Sequence, residues 1–267
     1  MHRVDGSTRA YDVRGPVVTI GIRIMIVLFT DFGADDIYVA QVKAVLLQQT
    51  SPGTPILDLL HGAPSFDAKA GAHLLAALQA WFPAGSVFLA VIDPGVGSAR
   101  DAIVLEADGK AYVGPDNGLL SVVAARGGIV RTWRIVWRPP MQSASFHGRD
   151  LFAPIAASIA AGRLPEDKLQ EAPGPRVQLG ADDLAEVVYI DHYGNVLTGV
   201  RAGNVSRGAK IEAAGRLLGY ARVFSEAPAG SAFWYENSAG LVEIAMNRAS
   251  AAELMGLRVG DSIRVVS

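Results

Sequence analysis

Short apolar runs alternate with longer stretches of helical period through the first two thirds of the chain. The runs 25–30, 56–60 and 86–92 read as strands, and the stretches of about 36–49 and 67–81 between them read as helices. Asp35 precedes the first helix and Ser65 with Asp67 the second; Ser51-Pro52-Gly53 and Pro83 end them. A strand–helix–strand–helix–strand opening with short loops predicts a parallel sheet flanked by helices. Ile103 to Glu106 and Ala111 to Val113 flank Asp108-Gly109, a hairpin signal. A helix over about 118–126, a strand over about 129–136 and a helix over about 149–161 complete this part.

The period then changes. Residues 164–183 carry Pro165, Pro173 and Pro175 among polar residues and read as a boundary. Beyond it come seven short, turn-separated, β-prone runs: 185–190, 196–200, 210–213, 217–221, 232–236, 241–245 and 262–266. Such a series suits a small barrel or sandwich. The expected fold class is therefore α/β: a mostly parallel sheet flanked by helices, followed by a smaller, barrel-like all-β domain. The expected divisions are a possible N-terminal extension at 1–24, an α/β domain at 25–172, a linker at 173–183 and an all-β domain at 184–267. The first 24 residues mix Arg3, Arg9, Arg14, Asp5 and Asp12 with glycines and show no period.

Composition narrows the class. Half of the 267 residues are hydrophobic, 19% are charged and 29 are glycine, which suits a compact enzyme and argues against a disordered or fibrous chain. The net charge of −2, without a long basic run, gives no phosphate-neutralising surface, so a small molecule is expected as partner and nucleic acid is not. No apolar run reaches the length of about 20 residues that a membrane span needs, since Arg23 and Asp31 interrupt the longest candidate. The run from Val17 to Ile22 is short for a signal peptide, so a cytoplasmic protein is expected. With no cysteine, disulfides and thiolate chemistry are excluded.

In an open parallel sheet, ligands bind beyond the carboxyl ends of the strands. Asp31, in Thr30-Asp31-Phe32-Gly33, follows the first strand, and an ionised carboxylate there could accept from both hydroxyls of a ribose or simply cap a turn. Asp93 opens the loop Asp-Pro-Gly-Val-Gly-Ser-Ala-Arg, which ends at Arg100. The two charges could organise water beside a ligand, or form an ion pair that only pins the loop. His147, in a polar loop before a helix, could orient or accept a proton near neutral pH. His73 falls inside an apolar helix and reads as packing or surface, while His61 and His192 fall in turns. No metal-ligand spacing is present, so no metal is expected. Gly114-Pro115-Asp116-Asn117-Gly118 reads as a helix-starting turn. The polar loops 191–195 and 235–238 read as ordinary turns on spacing alone.

Taken in order, Thr30-Asp31-Phe32-Gly33, Asp93 through Arg100, 114–118, Phe146-His147-Gly148-Arg149-Asp150, 191–195, and Asn237-Ser238 with Glu243-Ile244-Ala245 resemble the S-adenosylmethionine hydroxide adenosyltransferases. These are also called S-adenosylmethionine hydrolases and are relatives of the fluorinase and chlorinase. The resemblance runs from about residue 25 to the C-terminus. It implies hydrolysis of S-adenosylmethionine to adenosine and methionine without a cofactor, in a homotrimer whose sites lie between the α/β domain of one subunit and the β domain of the next. It matches Asp93, Arg100 and His147 to the catalytic trio, and Asp31, Asp93, Asn195, Ser238, Glu243 and the Met246 backbone to adenosine contacts. Asp191 and Asn195 match the segment that holds the methionine end. Phe66 stands where the halogenating relatives place a tryptophan on the substrate. Those relatives carry Tyr at the position of Asp93, Thr at that of Val96, a serine near Gly148 and Arg at that of Ala239. The differences favour water over halide as nucleophile, leaving a halogenase and a non-catalytic binder as the alternatives.

Overall fold

The structure, a computed structural model, describes residues 24–267. Of the expected extension 1–24, all but Ile24 lies outside the described residues.

A seven-stranded sheet organises the first part, with spatial order β2-β1-β3-β5-β4-β6-β7. Its strands are β1 (Ile26–Thr30), β2 (Ile56–Leu60), β3 (Val87–Val91), β4 (Ala102–Ala107), β5 (Lys110–Pro115), β6 (Val130–Ile135) and β7 (Leu169–Ala172). Five of the seven run in one direction, and β4 and β7 run against them. The continuous apolar runs became the central strands: every residue of β1 and β3 is buried, whereas β2, which contains Asp58, is an edge strand with exposed positions. Asp108 and Gly109, both at positive φ, make the two-residue turn between β4 and β5.

Helices cover both faces. On one, α1 (Ile37–Gln49) and α4 (Ala153–Ala160) close a core containing Ile26, Leu28, Leu46, Leu89 and Phe152. On the other, α2 (Ala68–Leu78) and α3 (Ser121–Arg126) close a core containing Phe29, Leu75, Phe88 and Tyr112. Asp67 caps α2 as expected, its carboxylate accepting from the Ala70 N–H at 2.9 Å. The first helix is capped by Asp36, not by Asp35, because the Asp36 carboxylate is the one that accepts from the Ile37 N–H, at 2.6 Å.

The expected boundary 164–183 is more structured than its prolines suggested. Residues 169–172 form β7 against β6, and the Arg176 N–H donates to the buried Asp116 carboxylate at 3.0 Å. The Leu179 N–H donates to Ser121 Oγ. The connection therefore runs docked along the first part. Beyond it, β12-β13-β9-β8 form one antiparallel sheet and β11-β10-β14 another. Their strands are β8 (Leu184–Ile190), β9 (Val196–Arg201), β10 (Lys210–Ala213), β11 (Arg216–Leu218), β12 (Ala232–Glu236), β13 (Leu241–Met246) and β14 (Arg264–Val266). Single bridges, Glu186 to Ser262 and Tyr220 to Trp234, join the sheets at both edges and close them like a barrel around Trp234. A short helix, α5 (Ala251–Met255), which the β-prone pattern did not suggest, lies between β13 and β14. The barrel packs on the first part through Val188 and Leu197, which join the core over α2.

His73 of α2 lies in this junction, 4% exposed, and its Nδ1 has no hydrogen-bond partner. Burial, with Arg126 nearby, lowers its pKa to about 4. An unfolded imidazole titrates near 6.5, so between those values the unfolded chain binds a proton that the folded chain refuses. Stability is therefore expected to fall as the pH drops from about 6.5 towards about 4. Replacing His73 with Leu should flatten that part of a thermal-denaturation pH series; an unchanged slope would assign the acid sensitivity elsewhere.

Candidate active site

Strands β1 and β3 lie side by side, so the residues just beyond their carboxyl ends, Asp31 and Asp93, meet at one rim of the sheet. A cleft of about 530 Å³ opens there, lined among others by Asp31, Phe66, Asp93, Val96 and His147. Asp31 is held from behind: its own N–H donates to the Val91 carbonyl, and its Oδ2 accepts from the Phe66 N–H at 3.1 Å. Burial raises its pKa; the Phe66 hydrogen bond opposes this, and the nearby Asp93 charge adds to it. Phe66 reaches this position at φ 63°, an unusual conformation for a bulky residue, and the residue is 77% exposed.

Asp93 and Arg100 form a bidentate pair. Arg100 Nε donates to Asp93 Oδ1 at 2.7 Å and Nη2 to Oδ2; both side chains are nearly buried. Nη2 also donates to His147 Nδ1 at 3.1 Å, and Nη1 donates to the Asp101 carbonyl at 3.1 Å. Of the five guanidinium hydrogens four are used, so Arg100, which lies outside the cleft lining, acts on Asp93 and His147 more than on the cleft itself. The loop can fold this tightly because Gly97 sits at φ 81°; a Cβ there would stand 2.8 Å from the Ala144 carbonyl oxygen.

His147 precedes a π-helical turn, Gly148–Phe152, that runs into α4, and Phe152 lies under the Arg100 guanidinium at 5.4 Å. Burial, then the Arg100 charge, lowers the His147 pKa, so the imidazole is neutral at neutral pH. Its Nδ1 accepts from Arg100, so its hydrogen is on Nε2.

The remaining expected residues lie elsewhere in the chain. Asp191, Asn195 and Met246 line a second cavity, about 670 Å³, that shares no lining residue with the first. Asp191 accepts from the Tyr193 and Asn195 N–H groups and from Asn195 Nδ2, which makes it the organiser of its own turn. Glu243 is buried and accepts from Tyr235 Oη and Asn237 Nδ2; burial raises its pKa, which the two hydrogen bonds oppose. Tyr235 in turn lines the second cavity. Ser238 lines neither cavity: its carbonyl accepts from Trp81 Nε1 at 3.2 Å, just past the end of α2. Since α2 descends from the carboxyl ends of the strands, Ser238 and the trio lie at opposite ends of the sheet.

Sequence reasoning missed several lining groups. Phe32, Tyr38 and Phe146 form an aromatic cluster with ring centroids 5.3–6.0 Å apart on one wall of the cleft, with Ser65, Ser143 and Ser145 nearby. Phe32 and Phe146 stood inside motifs, and Ser65 read only as a helix start; Tyr38, Ser143 and Ser145 carried no signal beyond proximity to the motifs. Tyr193 and Phe224 are the corresponding omissions in the second cavity. Among the described residues no group of three His, Asp or Glu side chains is arranged to hold a metal ion, and no helix is long and apolar enough to cross a membrane.

An Asp–Arg–His trio at the carboxyl rim of a mostly parallel sheet, with a barrel-like β region behind it, defines a two-part α/β enzyme of small-molecule chemistry. Two family models match the chain: the SAM hydroxide adenosyltransferase N-terminal domain over residues 26–169 and the C-terminal domain over residues 185–264. The chain belongs to this family. It is 39% identical over 255 residues to a protein of Thermus thermophilus named (R)-S-adenosyl-L-methionine hydrolase, covering 89% of this chain and 97% of that one. A fluorinase of Actinoplanes is a more distant relative, 26% identical over 90% of this chain and 97% of its own. A crystal structure of an uncharacterized conserved protein from Thermotoga maritima superposes with a TM-score of 0.81 at 30% identity, covering 91% of this chain and all of the other.

The hydrogen bond from Arg100 carries a titration signature. The His147 imidazole is expected to titrate below its ordinary value of about 6.5 in an NMR pH series, and Arg100→Gln is expected to move that value part of the way back. A His147 that titrates at its ordinary value in the intact protein would contradict this geometry.

Proposed function

We propose that this protein hydrolyses S-adenosyl-L-methionine to adenosine and L-methionine by in-line attack of water at ribose C5′. The observation that carries the proposal is the Asp93–Arg100–His147 arrangement at the rim of the cleft that Asp31 shares. The relatives named (R)-S-adenosyl-L-methionine hydrolase support it.

The chemistry suits these groups. A sulfonium leaves as a neutral thioether, so the departing methionine needs no acid, and the reaction needs neither metal nor redox cofactor. Water is the weak partner, and holding it in line at about 3–3.5 Å from the carbon supplies most of what it lacks. His147 offers its Nε2 hydrogen to the water oxygen, and Asp93 offers carboxylate lone pairs to its hydrogens. As the new O–C5′ bond forms and the C5′–S bond breaks, the oxygen becomes strongly acidic and its proton passes to Asp93, from there to solvent. Arg100 fixes both neighbours in place, so that the acceptor and the donor for the water stay aligned as the bond forms. Asp31 accepts from the ribose hydroxyls, and Phe66 packs against the substrate.

A halide nucleophile finds little here. Val96 offers no donor and the Asp93 carboxylate repels an anion, both lining the cleft. Water is the nucleophile that this lining favours.

The second half of the site is assigned to a neighbouring subunit of a homotrimer. Within one chain, Asp191, Asn195 and Met246 line a cavity separate from the cleft, which supports a site assembled from two copies. Asp191 and Asn195 would take the methionine end. Asn195, Ser238, Glu243 acting with Tyr235, and the Met246 backbone would take the adenosine. The cytoplasmic setting expected from the sequence belongs to the same proposal.

Incubation with S-adenosyl-L-methionine in ¹⁸O-labelled water should release adenosine carrying the label at its 5′ oxygen. Asp93→Ala should lower kcat at least about 100-fold, the scale of losing a group that aligns the nucleophile. Tight binding without product would point to a binding protein, and 5′-halogenated product with added halide to a halogenase. For the assembly, co-expressing the Asp93→Ala and Asn195→Ala chains should recover activity that neither shows alone, because some interfaces then pair two intact halves. No recovery in mixed trimers, or a mass of one chain in solution, would rule out the shared site.

A further inference from the structure

Beneath the loop that carries Asp31 lies a row of polar side chains that the reaction above does not use. Lys43 Nζ donates to Asp58 Oδ2 at 2.5 Å, Asp58 Oδ1 faces His61 Nε2 at 2.9 Å, and His61 Nδ1 faces Thr30 Oγ1 at 2.8 Å. Lys43 and Asp58 reach solvent, whereas His61 and Thr30 are buried. A carboxylate only accepts, so His61 Nε2 carries the hydrogen that it turns to Asp58; in that tautomer Nδ1 is the acceptor and the Thr30 hydroxyl donates to it. Thr30 Oγ1 accepts in turn from the Phe32 N–H at 3.3 Å. Every hydrogen in the row thus points toward Asp58.

A hydroxyl on an imidazole on a carboxylate is also the arrangement that activates a nucleophile. Here that role is closed: Thr30 is 1% exposed and lines neither cavity, so no substrate reaches its oxygen. What the row holds is the loop. The Gly33 N–H donates to the His61 carbonyl at 2.7 Å and the Ala63 N–H to the Thr30 carbonyl at 3.1 Å. The Phe66 N–H donates to the Asp31 carboxylate. The segments leaving β1 and β2 are therefore laced together on both sides of Asp31, with His61 at the centre of the lacing.

We propose that Thr30, His61 and Asp58 form a positioning relay that fixes the Asp31 carboxylate where it meets the ribose, and with it the aromatic wall that Phe32 begins. This rests on the hydrolase reading above. A buried polar row holds a unique geometry only while every member is paired. Removing the Thr30 hydroxyl leaves His61 Nδ1 without its donor and the Phe32 N–H without its acceptor, so the loop must move to find others.

The test measures hydrolysis of S-adenosyl-L-methionine by the full chain, with a melting temperature for each variant. Thr30→Val is expected to raise KM about tenfold while kcat changes less than about threefold, and Thr30→Ser to restore KM to within about twofold. On an Asp31→Asn background, Thr30→Val should add less than about twofold, because residues that act through one another are not additive. A folded Thr30→Val with unchanged KM overturns the relay, and so does the same tenfold effect repeated without the Asp31 carboxylate, which is what a merely structural role predicts. If Thr30→Val does not fold, the surface-reaching Asp58→Asn carries the same test, with an expected KM rise of about threefold that vanishes on the Asp31→Asn background. An unchanged KM there also overturns the relay. Wild-type protein that releases no adenosine sinks the hydrolase reading and the relay with it; wild-type turnover matched by the Thr30 and Asp58 variants sinks the relay alone.

Discussion

The Asp93–Arg100 pair is the interaction on which the rest of the site depends. Taking two charges out of water is expensive, and their attraction offsets that only where the geometry is good and the remaining hydrogens are satisfied. Here the bidentate contact, the Asp101 carbonyl, His147 Nδ1 and the Phe152 ring between them surround the guanidinium. The partners come from three pieces of chain, so completing the pair also fixes the loop after β3, the start of β4 and the entry to α4. His147 gains its tautomer from the same contact. A glycine-rich loop, which in isolation would be mobile, is thereby made rigid enough to orient water.

The pair also connects the site to the rest of the molecule. Asp101, next to Arg100, meets the Arg176 guanidinium at 2.9 Å, and the Arg176 N–H is anchored on Asp116. The segment between the two parts of the chain is therefore tied to the turn beside the Asp93–Arg100 loop. On the opposite face the barrel leans on α2, and Lys69 near the start of that helix pairs with Glu186 of β8 at 2.6 Å. Position in this fold passes between the parts through packed side chains and ion pairs.

Much of this architecture was legible in the sequence because the hydrophobic pattern and the burial it produces are the same physical fact. The unbroken apolar runs of β1 and β3 had to be central, and Asp108-Gly109 had to turn. The pairing of Asp93 with Arg100 was readable as a possibility from their shared loop; its contact with His147 was not, since 47 positions separate Arg100 from that ring and only the fold closes the gap. The row from Lys43 to Thr30 escaped notice for a related reason. His61 looked like a turn residue, and nothing local to it says that a threonine 31 positions earlier faces its ring. The short helix at 251–255 and strand β7 were hidden because short elements carry little period, and their placement is decided by neighbours.

The proposed division of binding groups between two cavities is consistent with the same sheet. A strand end can present only a few side chains to one point, and β1 and β3 already commit theirs to Asp31 and Asp93. The barrel offers acceptors and donors of another kind, on the 191–195 turn, which lines a cavity that shares no residue with the cleft. Phe66 at 77% and Tyr193 at 75% exposure leave an aromatic surface bare beside each cavity. Water attacking a sulfonium gains from a site closed to bulk solvent, and one chain alone leaves its cleft open on the Phe66 side. Two copies placed cleft to barrel would cover both rings with a single contact. In the proposed trimer, closing the site and assembling the subunits are therefore one event.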